Sequence, residues 1–261
     1  MKIAVLYICT GRYNVFFKGF YESAMKYFLA ESERHFFVWT DDAHLADGLH
    51  NVTVIHKECA GFPADSLFRF EMFLQAENQL RTFDYIYFFN SNALFRRPVN
   101  GEILPDETGL AMGIWGGKRE HQHPMFYPYE RNKKSLAYVA PYKSNYIYFM
   151  GGLNGGRPKE YLEMAHTLSQ NIRKDYICGI IAKFHDESHI NAYLRSHKCK
   201  VLSTDLNVPE ESARSMDAKM IFREKTHLDP YFTKGRRFTL VARCKKACDV
   251  LWSVVRWYLK F

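Results

Sequence analysis

No stretch of this 261-residue chain stays apolar for the length of a membrane span. Its early apolar run, residues 3–8, is too short for the core of a signal peptide and ends at the turn residues Thr10-Gly11. It therefore reads as a buried strand. The six cysteines (Cys9, Cys59, Cys178, Cys199, Cys244, Cys248) never fall in CxxC spacing. That argues against a zinc site and a disulfide framework, and fits reduced thiols in a cytosolic protein. There is no internal repeat and no low-complexity tract. A recognisable nucleic-acid motif is missing too, so basic charge alone makes no case for binding DNA or RNA.

What remains is the composition of a folded domain. Apolar residues make up 47% and charged residues 25%, enough for one sizeable core with room for a small appendage. Aromatics, at 16%, suit sugar rings, whose C–H faces stack on them, but they suit large cores equally. The 36 Lys and Arg outnumber the 28 Asp and Glu by eight, which favours an anionic membrane surface or a phosphorylated substrate.

Along the chain, strand and helix alternate. Residues 3–8 predict a strand, 14–29 a helix capped by Asn14, and 36–39 and 52–56 two more strands. A helix is expected over about 65–80, then an apolar strand over 84–89 that stops at Asn90-Ser91-Asn92. This βαβ rhythm predicts a doubly wound α/β sheet, whose ligands sit beyond the carboxyl ends of the strands. Thr10-Gly11, Thr40-Asp41 and Asn90-Ser91-Asn92 all lie at such ends and should converge on one crevice. The second half is less regular: a long loop region over 114–145 and a strand over 146–149 followed by Met150-Gly151-Gly152-Leu153-Asn154-Gly155-Gly156. A helix over about 158–173 precedes another that begins near Asp186.

The Asn90-Ser91-Asn92 turn stands where nucleotide-sugar transferases of the GT-A kind place an Asp-X-Asp that holds a divalent cation on the donor diphosphate. Here both acids are amides, whose neutral oxygens are weak ligands for a hard cation. An Asx turn closing a strand would give the same pattern. Further on come Thr10-Gly11-Arg12-Tyr13, Tyr129-Glu130-Arg131, the glycine-rich run, and His185-Asp186-Glu187-Ser188-His189-Ile190-Asn191, in that order. Together they resemble family 6 glycosyltransferases, which include the histo-blood-group A and B transferases and the α-1,3-galactosyltransferase. The likeness runs from about residue 3 to about residue 225. Some bacterial members also carry Asn-X-Asn and work without metal, and this chain looks like one of those, with no membrane-anchoring stem in front.

The resemblance implies a GT-A domain over 1–237, a mixed but mainly parallel sheet with helices on both faces. It implies that Glu187 is the catalytic carboxylate of a retaining transfer, stabilising an oxocarbenium-like transition state or attacking it. First-turn acids are also ordinary helix-dipole partners, the plainer reading of Asp186 and Glu187. Asp186 is expected to support donor binding. The backbone of Ile8-Cys9-Thr10 and the Tyr13 side chain are expected to hold uracil and ribose. With Asn90, Ser91 and Asn92 supplying no metal ligand, the diphosphate must meet fixed cations. Lys225 and Arg69 are the expected ones, although Lys225 could equally be a solvated surface lysine. Met150, Gly151 and Gly152 fall where the family chooses its donor. A glycine at the third position leaves room for an N-acetyl group and favours UDP-GalNAc over UDP-Gal, or the glycines merely shape a turn. His123 resembles an acceptor-contacting histidine. Phe184 stands where a tryptophan is typical, and the stretch before Tyr129 is shorter than usual, both on the acceptor side.

These expectations add up to an α-1,3 transferase of GalNAc onto a galactose in a fucosyl-α-1,2-galactose glycan, with no cofactor and no metal. The alternative is an inactive relative that only binds carbohydrate or nucleotide sugar. Residues 238–261 are set apart as a C-terminal helix. Leu240, Cys244, Ala247, Leu251, Val254, Val255 and Tyr258 share one face, with Lys245, Lys246, Arg256 and Lys260 opposite and Trp252 and Trp257 at the boundary. Such a helix can lie in an anionic membrane interface or dock its apolar face on the domain's own core. The concentration of charge favours the first, and a cytoplasmic protein peripheral on the inner face of a membrane.

Overall fold

Strand and helix do alternate, and the sheet is buried on both sides. The computed structural model describes residues 1–115, 122–143, 147–233 and 240–259. In chain order the first half contains β1 (Lys2–Ile8), α1 (Phe17–Tyr27), β2 (Glu33–Thr40) and β3 (Val52–His56). Three short helices follow, α2 (Ala64–Leu67), α3 (Arg69–Leu74) and α4 (Glu77–Leu80), then β4 (Tyr85–Phe89) and β5 (Ala93–Phe95). The second half holds β6 (Leu110–Ile114), β7 (Phe149–Gly156), α5 (Pro158–Ile177), α6 (His185–Tyr193) and β8 (Lys200–Val201). It ends with β9 (Val208–Pro209), β10 (Met220–Phe222) and α7 (Leu240–Leu259).

The main sheet has the order β3-β2-β1-β4-β7-β6-β8. β1, β2, β3 and β4 pair in parallel, β7 runs antiparallel to both its neighbours, and β8 is parallel to β6. Alternate residues of β1 explain the two layers. Ile3, Val5 and Tyr7 meet Phe17, Phe20 and Ala24 of α1 on one face, whereas Ala4 and Leu6 share the other with α3, α5 and α6. Both faces being apolar is what a mostly parallel sheet requires, and the architecture is the mixed α/β arrangement of GT-A-like glycosyltransferases. A smaller sheet, β5-β10-β9, hangs from the end of β4.

Four local expectations change. The first helix opens as a 3-10 turn over Gly11–Phe16, and Asn14 does not cap it: its amide donates to Asp41 (2.9 Å) and accepts from the Thr40 hydroxyl (3.0 Å). The helix expected over 65–80 breaks at Phe68 and at Gln75-Ala76. Leu67, Phe70, Met72, Phe73, Ala76 and Leu80 are all buried, and re-aiming the backbone twice lets one segment bury them all. The glycine run is not a turn after a strand but is β7 itself. A Cβ at Gly155 would lie 2.3 Å from the Tyr87 ring, and one at Gly156 would lie 2.5 Å from the Gly109 carbonyl oxygen, so β7 can pack here only without side chains. The helix after β7 runs on to Ile177. In the loop region, Pro124–Phe126 and Pro141–Lys143 form single 3-10 turns; residues 116–121 and 144–146 lie outside the described residues. No described helix is long and apolar enough to cross a membrane.

Candidate active site

The strand ends build a cleft because polar side chains fasten the loops that leave them. At the end of β1, Asp41 accepts the Gly11 amide with both oxygens at 2.9 Å, holding a turn where Gly11 takes φ +55°. Asp65 pulls a second loop across: it accepts the Thr10 hydroxyl (3.0 Å), the Gly61 amide (3.0 Å) and the Lys57 ammonium (2.9 Å). That clasp brings Cys59, Gly61 and the exposed Phe62 to the rim of a cleft of about 630 Å³.

At the end of β4, the Asn90 amide donates to the Gly152 carbonyl (2.8 Å), and the Ala93 amide closes a turn onto the Asn90 carbonyl (2.9 Å). Asn90 and Ser91 line the cleft. Asn92 does not: its side-chain oxygen accepts from the Asn90 amide (3.1 Å) and its NH2 donates to the Arg223 carbonyl (2.7 Å). The segment is thus a backbone β-turn, not an Asx turn, and a cleft wall at once. Among the described residues no group of three or more His, Cys, Asp or Glu is placed to hold a metal ion.

The acids come from α6. Asn191 locks this helix to β7, with its side chain bonded to the Phe149 amide (3.0 Å) and carbonyl (2.8 Å). The Phe184 amide donates to the Ser188 hydroxyl (2.9 Å), and His185 turns the chain into the helix at φ +50°, a left-handed conformation unusual outside glycine. Glu187 Oε2 then accepts the Gly151 amide at 2.8 Å, while Oε1 is buried with no hydrogen bond. Burial pushes this carboxyl up to about 7. The Gly151 N–H opposes that, Asp186 pushes it further, and the polar groups of Trp115 and Tyr148 draw it back. The Tyr148 hydroxyl stands beside Glu187 without a well-aligned hydrogen bond.

Asp186 faces Arg69. Its Oδ2 is 3.1 Å from Nε, and both side chains are over nine-tenths buried. The guanidinium is largely committed: Nε donates to the Ser66 carbonyl (3.2 Å), Nη1 to the Gly151 carbonyl (2.7 Å), and the group lies 4.6 Å over the Phe88 ring. Burial raises the Asp186 carboxyl to about 6, with Arg69 pulling the other way. His185 is pushed below its ordinary value, by burial first and then by Arg69. On the opposite wall the Lys225 ammonium donates to the Tyr13 hydroxyl (3.2 Å) and sits 4.8 Å over its ring.

The same cleft is lined by Ile8, Thr10 and Tyr13, by Arg69, by Met150, Gly151 and Gly152, and by Phe184, Asp186, Glu187 and Lys225. Cys9 stays out of it. Its side chain is in the core, where burial raises the thiol, and its amide bonds the Trp39 carbonyl (2.9 Å). His123 also stands apart: its Nδ1 accepts the Met125 amide, and its ring meets Trp257 of α7 edge-on at 4.7 Å. Sequence reasoning missed Trp115, Tyr148, Phe62, Asp65 and Lys183. Trp115 follows β6 directly, so the strand-end rule that found Thr10 and Asn90 could have found it. Phe62 and Lys183 carry no such signal.

The model of glycosyltransferase family 6 matches residues 1–228. The chain is 32% identical over 226 residues to the O-antigen biosynthesis glycosyltransferase WbnI of Escherichia coli, covering 86% of this chain and 95% of that protein. It is 27% identical over 239 residues to the human globoside alpha-1,3-N-acetylgalactosaminyltransferase 1, covering 85% of this chain and 65% of that one. To the rat histo-blood group ABO system transferase 2 it is 30% identical over 213 residues, covering 78% and 62%. The chain thus spans less than two thirds of these two mammalian relatives. With the family model matching residues 1–228, the chain belongs to glycosyltransferase family 6.

Proposed function

We propose that this enzyme transfers GalNAc, in preference to Gal, from a UDP-sugar to a galactose in α-1,3 linkage with retention and without a divalent metal. The acceptor is a galactose in a fucosyl-α-1,2-galactose glycan. The observation that carries the reading is Glu187: a buried carboxylate in the cleft with one oxygen fixed by the Gly151 amide and the other unpaired. An unpaired buried oxygen is costly, and a developing positive charge at an anomeric carbon would repay it. Whether the oxygen bonds that carbon or only faces it, the protein's task is to hold it in place. Asp186 and Arg69 do this from behind, tying α3, β7 and α6 together.

Metal independence is supported by what the amides do. The Asn92 oxygen accepts from Asn90 and its NH2 is taken by the Arg223 carbonyl, so neither is set out as a cation ligand. The leaving diphosphate is met instead by Lys225, poised over Tyr13. Arg69, committed to Asp186 and two carbonyls, acts as a positioning residue. Donor choice rests on Gly152, where a Cβ would come within 3.1 Å of Met150 Cε and 3.2 Å of Asn90 Cβ. A larger residue there would displace the Met150 and Asn90 side chains that line the donor end of the cleft, so the glycine keeps that wall as it stands. The enzyme's place is peripheral, at the inner, anionic face of a membrane.

Transfer assays with UDP-GalNAc and UDP-Gal, onto fucosylated and plain galactosides, with and without EDTA, test all of this. The expected product is fucosylated acceptor carrying GalNAc, at the same rate in chelator. Activity lost to EDTA and restored by Mn²⁺ would overturn metal independence. Tight UDP-sugar binding with neither transfer nor hydrolysis would make the protein an inactive relative.

A further inference from the structure

The last helix is packed the wrong way round for self-docking. α7 meets the body at the Pro124–Phe126 and Pro141–Lys143 turns, with Trp257 against His123. Among the described side chains the strongly exposed ones are mostly apolar, with Asp249 the exception. Leu251 is 65% exposed, Tyr258 71% and Leu259 66%, and Cys244, Ala247 and Cys248 are exposed in line with them. At 100° per residue, 244, 248, 251, 255 and 258 form one stripe running the length of the helix. An outward apolar stripe on a helix whose other side is already seated is an unpartnered surface.

Charge says what covers it. Residues 234–261 contain eight Lys and Arg against the single acid Asp249. The rest of the chain, with 28 basic and 27 acidic residues, is nearly neutral, so almost the whole net charge of +8 belongs to this segment. A second copy of the chain would bring the same positive segment against it and be repelled. An anionic lipid surface offers both the apolar depth and the opposite charge, while Trp252 and Arg256 stand over a cleft of the body at Arg131 and Pro141.

Resting on the peripheral location read above, but independent of the transfer chemistry, we propose that α7 lays the Cys244–Leu251–Tyr258 stripe into an anionic bilayer while its other face stays docked on the domain. The membrane-facing surface is therefore the helix's apolar side as it stands, with no rearrangement of the body.

The test is co-sedimentation of the full chain with phosphatidylcholine vesicles, with or without phosphatidylglycerol, across a salt series. Wild type should pellet only with the anionic vesicles and be released as salt rises. The double variant Leu251→Glu/Tyr258→Glu should partition at least about tenfold less, yet elute as the same monomer and transfer sugar to a soluble acceptor at the wild-type rate. Equal pelleting of wild type and variant would overturn the proposal. So would a wild-type dimer that the variant dissociates, which would assign the stripe to a second copy. Inactivity of both proteins with binding intact would instead count against the proposed transfer.

Discussion

Glu187→Gln keeps the shape of a buried side chain and removes its capacity to ionise. The amide oxygen can still accept the Gly151 N–H at the 2.8 Å position, and the Tyr148 hydroxyl, which has no hydrogen bond, stands beside the side chain. The consequences for stability follow from linkage. The carboxyl loses its proton near 4.5 in the unfolded chain but only near 7 when folded. Below 4.5 both states hold the proton and the group is neutral toward folding. Between 4.5 and 7 the unfolded chain gains by ionising while the folded one does not, so stability falls as pH rises, and it levels off above 7. The gap corresponds to about 3 kcal/mol at 1.36 kcal/mol per unit. The variant escapes that loss. Its melting temperature should match wild type near pH 4.5 and exceed it at pH 8 by roughly 6–12 °C for a domain of this size. Scanning both proteins by calorimetry from pH 4.5 to 8.5 measures it. Transfer by the variant should meanwhile fall about a thousandfold or more with UDP affinity retained, and wild-type activity should rise through pH 7 as Glu187 ionises. Parallel melting curves at every pH would refute the picture of a desolvated carboxylate held for chemistry.

Two further substitutions probe the support around it. Arg69→Met leaves Asp186 buried without its cation and should cost about 3–5 kcal/mol, read as a lower denaturation midpoint; the double variant Arg69→Met/Asp186→Asn should recover much of the loss, and failure to recover any would disprove the pairing. Lys225→Ala removes the cation poised over Tyr13 and should lower kcat/KM for the UDP-sugar about tenfold to a hundredfold, with a weaker salt dependence of UDP binding in calorimetry; unchanged affinity at low salt would return Lys225 to the solvated surface.

What was legible in the sequence tracks how each residue announces itself. β1 and β4 are apolar on both faces, and continuous apolar runs ending in Thr10 or Asn90 mark both the strand and the site at its end. Most of β7 leaves no pattern because its glycines have no side chains; they are required by the Tyr87 ring and the Gly109 carbonyl, contacts more than forty residues away in the chain. The same holds for Phe62, whose place at the cleft depends on Asp65 clasping Thr10 across the gap between two loops. Asn92 has a strand-end signal like Asn90, but which way its amide turns depends on the Arg223 carbonyl, 131 residues away, and no local pattern shows that.

The C-terminal helix shows the limit most plainly. Periodicity finds an apolar stripe but carries no sign, since a stripe packed inward and a stripe facing out have the same period. The sign comes from the partner surface, here the small turns at Pro124–Phe126 and Pro141–Lys143, which receive Trp257 and leave Leu251 and Tyr258 in solvent. The charge pattern, by contrast, was visible from the start. Positive residues packed into 28 positions of a nearly neutral chain make sense against a surface of fixed negative charge, where each contributes about 1 kcal/mol. Burying the same stripe against another copy would set those charges against one another. Packing direction and charge, argued from separate observations, therefore select the same partner.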